Sequence, residues 1–220
     1  MSQILGAAAR TSGDPFKQSD YFRQAEPSME RHWQHYIWPR LKHVDFASVV
    51  DLAAGHGRNS AYLLRYARSL VCADINPECI GACKHRFRDK PHVSYIQVDG
   101  FGFSGVDSSS ISLIYCFDAM VHFEPEVVEE YVLDAARILT PGGTALFHHS
   151  NYTANFEGDF RKSPHWRNYM SKDIFAYFVK KAGLQIVSQD VIGWDDSLPD
   201  AQHQPNYSEQ LDCITVLRRQ

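Results

Sequence analysis

With 220 residues, 44% hydrophobic and 22% charged, the chain has the length of one domain and ample material for a buried core. Its formal net charge is −4, from 22 Lys and Arg against 26 Asp and Glu, which disfavours nucleic acid as a partner; the short basic pairs at 180–181 and 218–219 read as solvated surface. The five cysteines form no C-x-x-C pair, and no run is apolar and long enough for a secretory leader or a membrane span, so buried free thiols and a cytoplasmic location are expected.

Residues 1–18 mix small and polar side chains and are expected to form a mobile tail before a single domain at 19–220. That domain would open with a helical cap over 19–44. Met29, Trp33, Tyr36 and Ile37 recur there at three- and four-residue spacing, and the helix is expected to end before Pro39. The apolar stripe suits packed core, and it equally offers a lid over a ligand.

Strands and helices then alternate. ASVVDLA (47–53) reads as a strand and NSAYLLRYA (59–67) as a helix capped by Asn59. LVCADI (70–75) is a strand, followed by a helix opening at Pro77, and HVSYIQVD (92–99) is the third strand. ISLIYCFD (111–118) is apolar enough to be buried on both faces. The helix at 124–139 stops at TPGG, and TALFHHS (144–150) is the fifth strand. A helix at 171–182 ends at Gly183, and the strands 184–192 and 211–219 close the chain with no helix between them. The alternation predicts an α/β fold with a doubly wound, mostly parallel, seven-stranded sheet whose last strand is antiparallel. Ligands of such sheets bind at the carboxyl ends of the strands, near the switch point.

The stretch DLAAGHGRNS (51–60) stands at that point. Gly55 and Gly57 allow a tight turn and a close backbone approach, and the next helix aims its amides at the same space. Asp74 ends the second strand nineteen residues beyond Gly55, where a ribose diol is held in nucleotide sites. Two departures argue against a dinucleotide. Ser60 replaces the third glycine, and Asp51 brings a carboxylate that would repel a pyrophosphate. A nucleoside with a cationic group fits better, and S-adenosylmethionine is one; alternatively, Asp51 ties the loop by accepting backbone amides.

VVDLAAGHGRNS, VCADI, IQVDG, LIYCFDAMVHF and LTPGGTALFHH, in this order and spacing, resemble the signature segments of class I S-adenosylmethionine-dependent methyltransferases over residues 48–150. The resemblance implies a Rossmann-like methyltransferase fold with S-adenosylmethionine as cofactor. It places Gly55 and Gly57 under the methionine moiety, with Asp51 and Ala53 also binding the cofactor. Asp74 with Ile75 would lie at the ribose, Asp99, Gly100 and Phe101 near the adenine, and the backbone of Phe117 and Asp118 would complete the pocket.

A hydroxyl acceptor must lose its proton during methyl transfer, which calls for a general base, most often histidine. His122 follows the fourth strand, and His148 and His149 end the fifth with side chains on opposite faces. His149 and His122 are therefore the candidate bases. The aromatic and polar segment 151–173 offers Tyr152, His165, Trp166, Arg167 and Tyr169 for an acceptor site, and it equally suits a loop that merely covers a sheet edge. No metal-ligand spacing is present. The sequence lacks the D/N-P-P-Y/F segment of amino-methylating nucleic-acid enzymes and a catalytic cysteine pair. The expected activity is methylation of a small-molecule hydroxyl, of a sugar or secondary metabolite. A nicotinamide-dependent oxidoreductase and a non-catalytic S-adenosylmethionine-binding partner protein are the alternatives.

Overall fold

The computed structural model describes residues 2–16, 20–154, 160–193 and 210–220. Its centre is a seven-stranded sheet of order β3-β2-β1-β4-β5-β7-β6. The strands are β1 (Ser48–Leu52), β2 (Ser69–Asp74), β3 (Val93–Gln97), β4 (Ile111–Cys116), β5 (Leu139–Ser150), β6 (Gln185–Ile192) and β7 (Asp212–Arg218). β7 inserts between β5 and β6 and is antiparallel to both, while β1 to β5 pair in parallel. The chain reverses at β1, whose neighbours are β2 on one side and β4 on the other, so the crevice lies over the β1 carboxyl end.

Strand alternation sorts the apolar side chains onto two faces. Val50, Ile114, Cys116 and Phe147 pack against helices α7 (Pro125–Ile138) and α8 (Lys172–Lys181). Val49, Leu113, Tyr115 and Leu146 pack on the opposite face, against α5 (Arg58–Leu63), α6 (Pro77–Arg86) and the N-terminal helical segment. β4 is buried at every position, as its unbroken apolar run predicts. Pro125 sits in the first turn of α7, Ser171 caps α8 by accepting the Ile174 N–H at 3.2 Å, and Gly183 follows α8 at φ 69°.

Three local expectations need correction. Residues 2–13, expected as part of a mobile tail, form helix α1 (Ser2–Gly13); Ala9 and Ser12 are buried, and Ala9 joins the α7 side of the core. The helix expected to stop before Pro39 continues through it. α2 (Tyr21–Ala25) is followed by α3 (Met29–His32), a π-helical turn at Trp33–Ile37, and α4 (Trp38–Leu41) with Pro39 in its first turn. The widened turn accommodates the proline's missing N–H. Met29, Trp33, Ile37 and Leu41 are buried in the core, so this stripe is not a lid. Finally, Gly57, at φ 80°, occupies the cap of α5 in place of Asn59, whose amide instead donates to the Phe117 carbonyl and accepts from the Tyr115 hydroxyl.

Candidate active site

The loop from β1 to α5 turns through left-handed backbone at Ala53 (φ 57°), Gly55 (φ 55°) and Gly57 (φ 80°). For Ala53 that conformation costs about 1–3 kcal/mol, a strain that clusters at binding sites. The turn is tied to β2: the Gly55 N–H donates to one oxygen of Asp74 at 2.9 Å and the Asn76 N–H to the other at 2.8 Å. Burial raises the Asp74 pKa against these amides. Asp51 lies beneath the loop, fully buried. One of its oxygens accepts from Ser60 Oγ at 2.5 Å, and among the described residues the other has no partner. Burial pushes its pKa up to about 7. The Ser60 backbone N–H also favours its charged form, so Asp51 ties the start of α5 to β1 through Ser60.

A cavity opens above this loop, lined by Ala53, Gly55, Asp74 and Ile75 on one side and by Phe117, Asp118 and His122 on the other. Its roof is the N-terminal segment, with Ala9, Ser12, Phe16, Tyr21 and Phe22. The Ser12 hydroxyl donates to the His122 carbonyl at 2.8 Å, and Asn76 Nδ2 donates to the Gly13 carbonyl at 3.0 Å. The approach is close enough to require glycine: a Cβ on Gly55 would come 2.4 Å from the Phe22 ring, and one on Gly100 2.1 Å from Ala9 Cβ. Nothing in the residue pattern before position 19 marks this roof except Phe16, an aromatic side chain in a polar stretch. Tyr21 and Phe22 lie in the expected cap, ahead of its periodic stripe.

Beyond β4 the wall is charged but internally neutralised. Asp118, itself at φ 60°, accepts from Arg58 at 2.9 Å and from the Tyr21 hydroxyl. Burial opposes its carboxylate, but Arg58, with His32, His148 and Arg167 behind it, holds its pKa below the usual range. The Asp118 N–H donates to His148 Nδ1 at 3.0 Å, so the other nitrogen of His148 carries hydrogen and faces Asp212 at 3.4 Å. Arg167 grips Asp212 with two bonds of 2.6 and 2.7 Å. Arg58 and Arg167 thus bracket the half-buried Asp118 and the buried Asp212, with His148 between them.

The candidate bases separate cleanly. His122 lines the cavity, and its Nδ1 lies 2.7 Å from the Trp166 carbonyl. A carbonyl only accepts, so Nδ1 carries the hydrogen and Nε2 is left as the basic atom. Burial, with help from Arg167, lowers the His122 pKa to about 4. His149 is not at the cavity. Its ring stacks on Phe175 at 3.9 Å, its nitrogens lie 2.9 Å from the Ser150 carbonyl and 3.0 Å from Thr215 Oγ1, and burial lowers its pKa to about 3. Strand alternation turned it into the core, so it is withdrawn as a base.

Other expected site residues also move. Gly100 lines the cavity, but Asp99 is exposed on the outer face and accepts from the Phe101 N–H and Ser104 Oγ, while Phe101 packs beside Gly6 of α1. None of Tyr152, His165, Trp166, Arg167 and Tyr169 is among the lining residues. Arg167 is spent on Asp212, Tyr152 and Tyr169 form a β-bridge with each other, and His165 and Trp166 turn at φ 49° and 57°. Among the described residues no cluster of three or more His, Cys, Asp or Glu is placed to hold a metal ion, and no helix is long and apolar enough to cross a membrane.

Residues 49–143 match the family model described as "Methyltransferase domain". No curated protein matches the chain. Among solved structures, phosphoethanolamine N-methyltransferase 1 of Haemonchus contortus, in complex with phosphoethanolamine and S-adenosylhomocysteine, superposes with a TM-score of 0.72 at 15% identity, over 99% of this chain and 49% of that one. Geranyl diphosphate C-methyltransferase of Streptomyces coelicolor A3(2), in complex with Mg2+, geranyl diphosphate and S-adenosylhomocysteine, gives 0.68 at 12% identity over 92% and 86%. An S-adenosylmethionine-dependent methyltransferase of Mesorhizobium loti gives 0.66 at 17% identity over 83% and 97%. At these identities the likeness shows the shared fold.

Proposed function

We propose that this chain, whose residues 49–143 match a methyltransferase-domain family model, is a class I S-adenosylmethionine-dependent methyltransferase that methylates a hydroxyl of a small molecule, with His122 as the general base. S-adenosylmethionine is the cofactor, and the residues present suit it. Asp74 at the cavity wall fits a ribose diol, and Gly55 and Gly100 leave no Cβ in the way; Asp51, with one buried oxygen unpartnered among the described residues, lies beneath the loop and outside the cavity lining. Bound there, the cofactor supplies an electrophilic methyl carbon on a sulfonium. The unpartnered acid favours it over a dinucleotide, whose pyrophosphate Asp51 would repel.

The observation that carries the hydroxyl reading is His122: a neutral imidazole on the cavity wall, its tautomer set by the Trp166 carbonyl and Nε2 left to accept a proton. Of the roof residues, Phe16 packs against the His122 ring at 5.2 Å. A purely cofactor-binding partner protein would have no use for such a base. The test is single-turnover methyl transfer by wild type and His122→Gln, with S-adenosylhomocysteine affinity measured in parallel. Loss of transfer with affinity kept supports the reading. Equal transfer by both proteins contradicts it.

A further inference from the structure

The cavity wall at His122 carries the rings of Phe16 and Tyr21, with Trp166 and Phe160 packed against them outside the lining. Phe16 lies 5.2 Å from the His122 ring, 5.6 Å from Tyr21 and 5.7 Å from Trp166, and Phe160 lies 6.0 Å from His122 and 6.2 Å from Trp166. The polar side chains nearby are already engaged. Ser12 holds the His122 carbonyl, Arg58 holds the Ala25 carbonyl and Asp118, Tyr21 donates to Asp118, and Asn59 bridges Tyr115 and Phe117. Among the described residues, His122 Nε2 is the imidazole nitrogen on this wall with no protein partner, and Tyr131, with its hydroxyl, lines the cavity as well.

That balance of groups discriminates between acceptor classes. A sugar would bury several hydroxyls, and each one left without a partner costs about 1–3 kcal/mol. A flat ring with a single hydroxyl forfeits none, and it gains the offset-stacked and edge-to-face contacts that the surrounding rings provide. Its acidity helps as well: His122, lowered to about 4, is a weak base, and a phenol (about 10 for tyrosine) releases its proton far more readily than an alcohol.

We propose that the acceptor is a planar aromatic compound carrying a phenolic hydroxyl, seated among Phe16, Tyr21 and His122, and not a polyhydroxylated sugar. This rests on the reading of His122 as the base. The phenolic oxygen gains the methyl as the methyl–sulfur bond breaks, the electron pair of that bond stays on sulfur, and the phenolic proton passes to Nε2.

The test titrates the full chain, saturated with S-adenosylhomocysteine, with 2-naphthol and with methyl α-glucopyranoside, and assays both as acceptors with S-adenosylmethionine. The expected result is at least tenfold tighter binding of 2-naphthol, a several-fold smaller preference in Phe16→Leu, and methyl transfer to the naphthol oxygen. Equal or tighter binding of the glucoside, or an unchanged preference in both Phe16→Leu and Phe160→Leu, overturns the proposal. The two readings fail separately. A glucoside methylated by wild type but not by His122→Gln overturns the acceptor class and keeps the base, whereas a naphthol methylated equally by both overturns the base and keeps the class.

Discussion

The His122 Nδ1–H is held by the Trp166 carbonyl at 2.7 Å, and the backbone that presents this carbonyl is left-handed at both His165 and Trp166. Each such residue costs about 1–3 kcal/mol. That cost is offset by anchors on both sides: the Trp166 N–H donates to the Ser163 carbonyl at 3.0 Å, and Arg167 is locked onto Asp212. The segment expected to bind the acceptor instead sets the tautomer of His122.

His122→Gln is therefore expected to lower kcat by about 10²–10⁴-fold. The sequence alone suggests a rate that rises through the ordinary histidine value. Buried as it is, with a pKa lowered to about 4, His122 is already in its basic form across the neutral range. The pH–rate profile should be level from about pH 5.5 to 8 and fall only below about pH 5. A limb near pH 6.5 would identify another base.

Cofactor affinity should depend on Asp51. Its pKa, raised to about 7 by burial, means the carboxyl is neutral in acid and charged above neutrality. A cationic group binds the charged form, so the affinity of the unliganded protein for S-adenosylmethionine should rise from about pH 6 to 8. Calorimetry should show Asp51→Asn binding more weakly and with little pH dependence.

Arg167 and Asp212 are both buried, and each is the other's charge partner. Removing one partner of such a pair costs about 3–5 kcal/mol, because the other charge remains uncompensated. Arg167→Met should lower the denaturation midpoint by a corresponding amount, and restoring charge balance with Arg167→Met/Asp212→Asn should recover part of the loss.

Acid should destabilise the fold through its buried histidines. His32, His122 and His149 have pKa values lowered to about 3, 4 and 3 by burial. Groups with depressed folded values contribute stability that is complete above their unfolded pKa of about 6.5 and is lost as pH falls toward the folded one. Each adds a slope of about 1.4 kcal/mol per pH unit between those limits. Equilibrium unfolding should show stability dropping below about pH 6.5, with a shallower slope in His149→Phe.

The sheet and the cofactor loop were legible because their signals are local: apolar strand runs alternating with helices, Gly55 and Gly57 between a strand and a helix, and Asp74 closing the next strand. The roof of the site was not. Tyr21 meets Asp118 and Ser12 meets His122 across about a hundred residues of chain, and no periodicity encodes such contacts. His149 misled because the residue pattern puts His148 and His149 on opposite faces without saying which face holds the pocket. Neither does: His148 is buried behind Asp118 and His149 under α8, and the histidine from this region that reaches the cavity comes from the 3-10 turn at Met120–His122.

The most direct measurement is the identity of the methylated atom and its dependence on His122. Wild type and His122→Gln would each be supplied with S-adenosylmethionine carrying a 13C methyl group and an acceptor panel of phenols, glycosides and amines, and the product methyl carbon read by NMR. An O-methyl signal from wild type, slowed by about 10²–10⁴-fold in the variant, is the predicted result. An N-methyl or C-methyl product, or an O-methyl product formed equally fast by His122→Gln, would contradict it.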